Sequence, residues 1–158
     1  VVAAPRNYVY IPNSNKQLPL DETAFVGAIR AGHSFATTGP LLAVTLRDAY
    51  SEAGMGETFS GRRGELHIQI DAAPWVSVDT LTVWVNGEVY RQLKVAVGDH
   101  KVIELIADTD SYVVVEVSGE PNAVYRALMP DLAPLALSNP IYLDADGNGK
   151  WQAPKIMN

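Results

Sequence analysis

The feature that most restricts how this chain can fold is a series of short segments in which apolar and polar residues alternate, with little helical periodicity between them. The cleanest runs Leu66-His67-Ile68-Gln69-Ile70-Asp71, the pattern of a strand with one face in the core and one in water. Leu42, Val44 and Leu46 alternate in the same way, as do Leu81, Val83 and Val85 against Thr80, Thr82 and Trp84. That last run stops at Asn86-Gly87, where both residues tolerate positive φ, so a tight hairpin should return the chain over residues 88–95. Residues 102–107 and 112–117 supply two more strands, separated by Asp108-Thr109-Asp110, and Pro140-Ile141-Tyr142-Leu143 offers a last one. Short strands at this spacing favour two packed antiparallel sheets over alternating parallel strands and helices. The expected fold is mainly β, an antiparallel β-sandwich of immunoglobulin- or fibronectin-like type with about seven strands.

One N-terminal helix interrupts the pattern. Asp21 is placed to cap it over about residues 22–31, with Phe25, Ala28 and Ile29 on its buried face and Gly32 ending it in a left-handed conformation. Residues 6–11 alternate as a strand, residues 12–19 form a proline-bounded connector, and residues 54–64 form a glycine-rich loop. The division expected is a linker strand and helix over 1–33 and the sandwich over 34–158. The chain opens on Val1, without methionine, and moves at once into the first strand. It therefore reads as an excised fragment of a larger protein.

At 158 residues the chain is long enough for one substantial core. It holds no cysteine, which removes disulfides, thiolate metal sites and cysteine nucleophiles and leaves the compartment undetermined. Eighteen Asp and Glu against twelve Lys and Arg give a net charge of -6, which opposes binding to nucleic acid or anionic lipid. The tight basic pair Arg62-Arg63 sits between Gly61 and Gly64 and reads as a solvated turn. No apolar run approaches the ~20 residues needed to span a bilayer.

The search for chemistry is mostly negative. His33, His67 and His100 are isolated in sequence, without the HxH or HExxH spacing that brings two ring nitrogens to one metal. A surface or satisfied-polar role is expected for each, with a cluster in space left open. There is no nucleophile elbow, phosphate-binding loop or dinucleotide fingerprint. Glu104 and Glu116 are placed to lie on neighbouring strands, where solvated sheet faces explain them more simply than acid-base work.

One segment carries specific chemistry. Asp144, Asp146 and Asn148 present side-chain oxygens at positions 1, 3 and 5 of a candidate calcium loop, with Gly149 at position 6 and the Lys150 carbonyl at position 7. Position 12, where an EF-hand carries glutamate, is Lys155, so a missing carboxylate would have to come from another loop. The same residues are ordinary turn formers, and a plain exposed turn is the competing reading. Trp84, facing away from Leu81, Val83 and Val85, is the candidate for stacking on a sugar ring, against a structural role under a loop or a lost neighbour.

Four segments together resemble the region that follows the metal-binding barrel in the carbaryl-hydrolase-like (CehA/McbA) branch of the polymerase and histidinol phosphatase (PHP) metallohydrolases. They are Pro5-Arg6-Asn7-Tyr8-Val9; residues 28–42, with Ala31-Gly32 and Thr37-Thr38-Gly39-Pro40; Ala73-Pro74-Trp75 followed by Val78-Asp79 and Val85-Asn86-Gly87; and Ser138-Asn139-Pro140-Ile141-Tyr142-Leu143-Asp144 with Asp146-Gly147-Asn148-Gly149. The resemblance implies a parent enzyme that hydrolyses ester, phosphoester or related bonds with divalent metals held by His and Asp/Glu on a PHP barrel. The barrel's ligand motifs are absent from residues 1–158, so no catalytic residue carries over. It further implies that this chain is a noncatalytic accessory domain whose partner is the PHP domain of the same polypeptide, with Arg6, Tyr8, Thr37, Thr38 and Pro40 at the contact. The alternative is an independent glycan- or protein-binding module using Trp84.

Overall fold

The computed structural model describes residues 5–11 and 19–154. The N-terminal Val1–Ala4 stretch, most of the 12–19 connector and Lys155 lie outside them. Strands hold 46% and helices 10% of the described residues, so the protein is mainly β. In chain order the elements are β1 (Arg6–Val9), α1 (Glu22–Arg30), β2 (Ser34–Thr37), β3 (Leu41–Arg47), β4 (Glu52–Gly54), β5 (Thr58–Ser60) and β6 (Arg63–Asp71). Then follow β7 (Thr80–Val85), β8 (Glu88–Lys94), β9 (His100–Ile106), β10 (Ser111–Ser118), α2 (Ala123–Leu128), β11 (Leu135–Ser138) and β12 (Ile141–Asp144).

Two sheets face each other. One is antiparallel in the order β4-β3-β6-β9, and the other is built around β10. β10 takes β7 and then β8 along one edge. Along its other edge it takes β11 over Glu116–Ser118 and β12 over Ser111–Val113. β11 leads on to β2 and β1, while β12 pairs with β5 in parallel. β11 and β12 behave as one strand broken at Asn139-Pro140, because proline cannot donate to the ladder. At the break, the Val115 N–H donates to Ser138 Oγ at 2.8 Å. Counted that way, the principal strands divide three (β3, β6, β9) against four (β7, β8, β10, β11/β12), the sandwich expected from the alternation.

The alternating residues meet in one core. Leu42, Val44 and Leu46 of β3, Leu66, Ile68 and Ile70 of β6, and Ile103 and Leu105 of β9 pack on Leu81, Val83, Val113, Val115, Val117, Ile141 and Leu143. The chain crosses from the sheet built around β10 to the four-stranded sheet between β2 and β3, through a turn closed by the Thr37 hydroxyl. Thr37 Oγ1 donates to the Pro40 carbonyl at 2.5 Å and accepts from the Gly39 N–H at 2.8 Å. Asn86 at φ 54° and Gly87 at φ 85° form the β7–β8 hairpin turn, as their tolerance of left-handed backbone requires.

Several details differ from expectation. Asp21 caps α1 through the Thr23 and Ala24 amides, but of the three residues placed on its buried face only Ala28 is buried. Phe25 is half-buried and Ile29 is 48% exposed. The glycine-rich stretch contains two short strands, β4 and β5. A second helix, α2, is capped by Asn122 and buries Tyr125 against Val76 and Met129 in a small second core. Glu104 and Glu116 lie on strands of different sheets, so they are not neighbours. No helix among the described residues is long and apolar enough to cross a membrane.

Leu66 is 0% exposed at the centre of the core, so Leu66→Ala should lose about 2–5 kcal/mol. Val102 on the outer face is 49% exposed, and Val102→Ala should stay within about 0.5 kcal/mol. Urea unfolding of both variants checks the contrast, through midpoint shifts at constant m-value.

Candidate metal centre

β12 ends at Asp144, which is 1% exposed, and the chain then turns sharply through Gly147 and Gly149, both at positive φ. The Asp144 carboxylate accepts from two amides of that turn, Asn148 N–H at 3.2 Å and Gly149 N–H at 2.7 Å. Asp146 Oδ1 accepts from the Asn148 N–H at 3.1 Å, and Asn148 Oδ1 accepts from the Lys150 N–H at 2.8 Å. Asp144, Asp146 and Asn148 thus wrap a loop around their own oxygens. Lys150 itself is exposed.

A further carboxylate lies beside this loop, in the β9–β10 turn. Asp110 Oδ1 accepts from the Ala145 N–H at 2.9 Å, and its Oδ2 from the Gln152 N–H at 2.7 Å. Asp110, Asp144 and Asp146 each offer an oxygen within 4.8 Å of the others. Two oxygens bound to one calcium at about 2.3–2.6 Å lie at most about 5 Å apart, so three oxygens this close can share one hard cation. No salt bridge to Lys or Arg engages these three carboxylates among the described residues. Their oxygens are held instead by the backbone amides of Ala145, Asn148, Gly149 and Gln152 and by the Asn148 side-chain amide. A sequence reading could reach Asp110 only through the polar turn that holds it, because nothing in the spacing joins position 110 to 144.

The remaining candidates fall in three places. Arg6 and Tyr8 lie on β1, the Arg6 guanidinium 5.5 Å from the Tyr8 ring centre, and Tyr8 stacks on Phe35 with ring centres 5.3 Å apart. Thr37 and Pro40 are buried in the sheet-crossing turn, and Thr38 Oγ1 donates to the Ala133 carbonyl at 2.6 Å. These three tie the module to itself. Trp84 is half-buried on the outer face of β7. It is paired with Val114, whose neighbour two residues back, Tyr112, is paired with Tyr142. Tyr142 packs on Trp151 with ring centres 4.7 Å apart.

The histidines are not all isolated. His33 Nε2 lies 3.8 Å from Glu57 Oε1, while His67 and His100 stack, with ring centres 5.4 Å apart. No family model matches the chain, and no match is found among curated proteins or solved structures.

Asp144 satisfies two backbone amides at a buried position. Asp144→Asn, which exchanges one acceptor oxygen for a donor NH2, should therefore cost about 1–3 kcal/mol even without metal. Thermal unfolding in EDTA measures it, and Asp146→Asn, on the exposed side, should cost less.

Proposed function

We propose that this chain is a noncatalytic C-terminal accessory module of a PHP-type metal-dependent (phospho)esterase or related hydrolase, supporting the catalytic barrel of the same polypeptide. The observation that carries the reading is an apolar surface on the two elements nearest the place where the resemblance puts the barrel. On β1, α1 and the residues joining them, Tyr8 is 41%, Tyr10 67%, Leu20 62%, Val26 43% and Ile29 48% exposed. Large apolar side chains exposed on two neighbouring elements are the kind of surface that an interface would cover. Beside them a groove of about 610 Å³ is lined by Tyr8, Tyr10, His33, Phe35 and Met55, among others. The metals of hydrolysis belong, on this reading, to the His and Asp/Glu of the barrel, and the module contributes stability and a wall beside it.

Calcium in the Asp110–Asp144–Asp146 group is a second part of the proposal. It would tie the β9–β10 turn to the segment after β12. A ligand bound only by the folded state, present at 100 times its Kd, stabilises by about 2.7 kcal/mol. Millimolar calcium should therefore raise the melting temperature over EDTA, and Asp110→Asn should abolish the rise. No shift at that concentration rejects the site.

The supporting role is tested by the double variant Tyr10→Ser, Ile29→Ser in the full polypeptide. Exposed substitutions should leave the isolated module's stability within about 1 kcal/mol. The barrel's melting temperature and its metal-dependent hydrolysis should both fall. Full-length activity and stability equal to wild type would rule the role out. The aromatic face of Trp84, Tyr112, Tyr142 and Trp151 favours one rival, an independent glycan-binding module. A glycan array gives that rival the lead if saturable binding appears and is lost in Trp84→Ala.

A further inference from the structure

His67 and His100 lie on adjacent strands of the four-stranded sheet, β6 and β9. In their antiparallel register His67 faces Val102 and Gln69 faces His100, so the two histidines are diagonal neighbours on the outer face. His67 Nδ1 stands 3.3 Å from His100 Nε2. Two further side chains determine what His67 presents there. Its Nε2 is 3.2 Å from Glu65 Oε2, and an ionised carboxylate only accepts, so Nε2 carries the proton. The Arg47 guanidinium is 3.4 Å from Nδ1 and only donates, so Nδ1 offers a lone pair. By the same rule His100 Nε2–H donates to it in the metal-free protein, and that proton must move to the other nitrogen of the His100 ring when an ion binds. A carboxylate holding the far nitrogen of an imidazole is the arrangement that orients histidine ligands toward metals.

The spacing of the two nitrogens, which a hydrogen bond between the rings also accounts for, is the spacing that a shared ion requires. Ligands about 2.0–2.1 Å from one tetrahedral ion lie about 3.3–3.4 Å apart, which matches the His67–His100 separation. We infer that His67 Nδ1 and His100 Nε2 form a two-histidine site for a first-row divalent ion of imidazole preference, with Zn2+ the ion its geometry suits. Glu65 is the positioning residue for His67, and solvent completes the coordination. Imidazole nitrogen selects against Ca2+ and Mg2+, which take oxygen, so this site is distinct in chemistry from the carboxylate group on Asp144. The Arg47 cation opposes a dication at this place and must swing outward from its exposed strand end when the ion enters. The ion then staples β9, an edge strand, to β6.

The test is calorimetric titration of the full chain with ZnCl2, backed by NMR of the histidine rings. One ion per chain should bind, and the His67 and His100 ring signals should move together. His67→Ala and the exposed His100→Gln should each weaken binding by about tenfold or more. Arg47→Gln should tighten it, and Asp144→Asn should leave it unchanged. For Glu65, the nitrogen spectrum of the metal-free protein should show His67 protonated at Nε2, and Glu65→Ala should mix the tautomers while the melting temperature holds. The site is overturned if Zn2+ binding survives in both folded histidine variants, if it disappears only in Asp144→Asn, or if no saturable binding occurs below about millimolar Zn2+.

Discussion

Burial of alternate side chains between two sheets is the interaction on which the rest of this structure depends. β6 lies inside one sheet and β10 inside the other, and their inward residues are almost wholly withdrawn from water. Burying each such aliphatic side chain stabilises by roughly 1.5–3 kcal/mol. With the interior committed to aliphatic packing, polar chemistry is confined to outer faces and loops. Within that interior, every fully buried side-chain nitrogen or oxygen among the described residues has a hydrogen-bond partner. The polar groups there close turns and strand breaks, as Thr37 and Ser138 do.

The strands that alternate cleanly were legible because one face of each is wet and one is dry. β3, β6, β7, β9 and β10 fall close to where their pattern places them, and the Asn86-Gly87 turn is where its backbone preference puts it. β4 and β5 were not legible, since three residues are too few to display a period inside a glycine-rich stretch. α2 escaped for a similar reason. It has six residues and a single buried anchor, Tyr125, so no helical stripe develops. Ile29 shows the limit of a helix-face argument: α1 meets little of the sandwich, so it buries only the middle of the stripe that its sequence offers.

At the candidate sites the local part was legible and the long-range part was not. The spacing of Asp144, Asp146 and Asn148 announces an oxygen-rich loop, because those ligands follow one another along the chain. Asp110 joins them only because β10 and β12 pair, which brings the start of one strand against the end of the other. His67 and His100 likewise meet only through the register of β6 and β9. Trp84 was correctly turned away from the core by parity alone, but its company of Tyr112, Tyr142 and Trp151 depends on which strands became neighbours. Two groups of opposite donor character result, oxygens around the end of β12 and the β9–β10 turn and nitrogens on the outer face of β6 and β9, and they share no residue.

The contact between α1 and the sandwich has a mechanical meaning. A Cβ at Gly56 would stand 2.0 Å from the Ala31 carbonyl oxygen, so only a glycine lets the two backbones approach this closely. The Asn139 side chain donates to the Gly32 carbonyl at 3.0 Å and to Ser34 Oγ at 2.9 Å. Helix and β-strands are thereby welded where a swivel would otherwise sit. A body attached ahead of α1 and seated on the helix would inherit its bearing from the sandwich, and torque on one would be felt by the other.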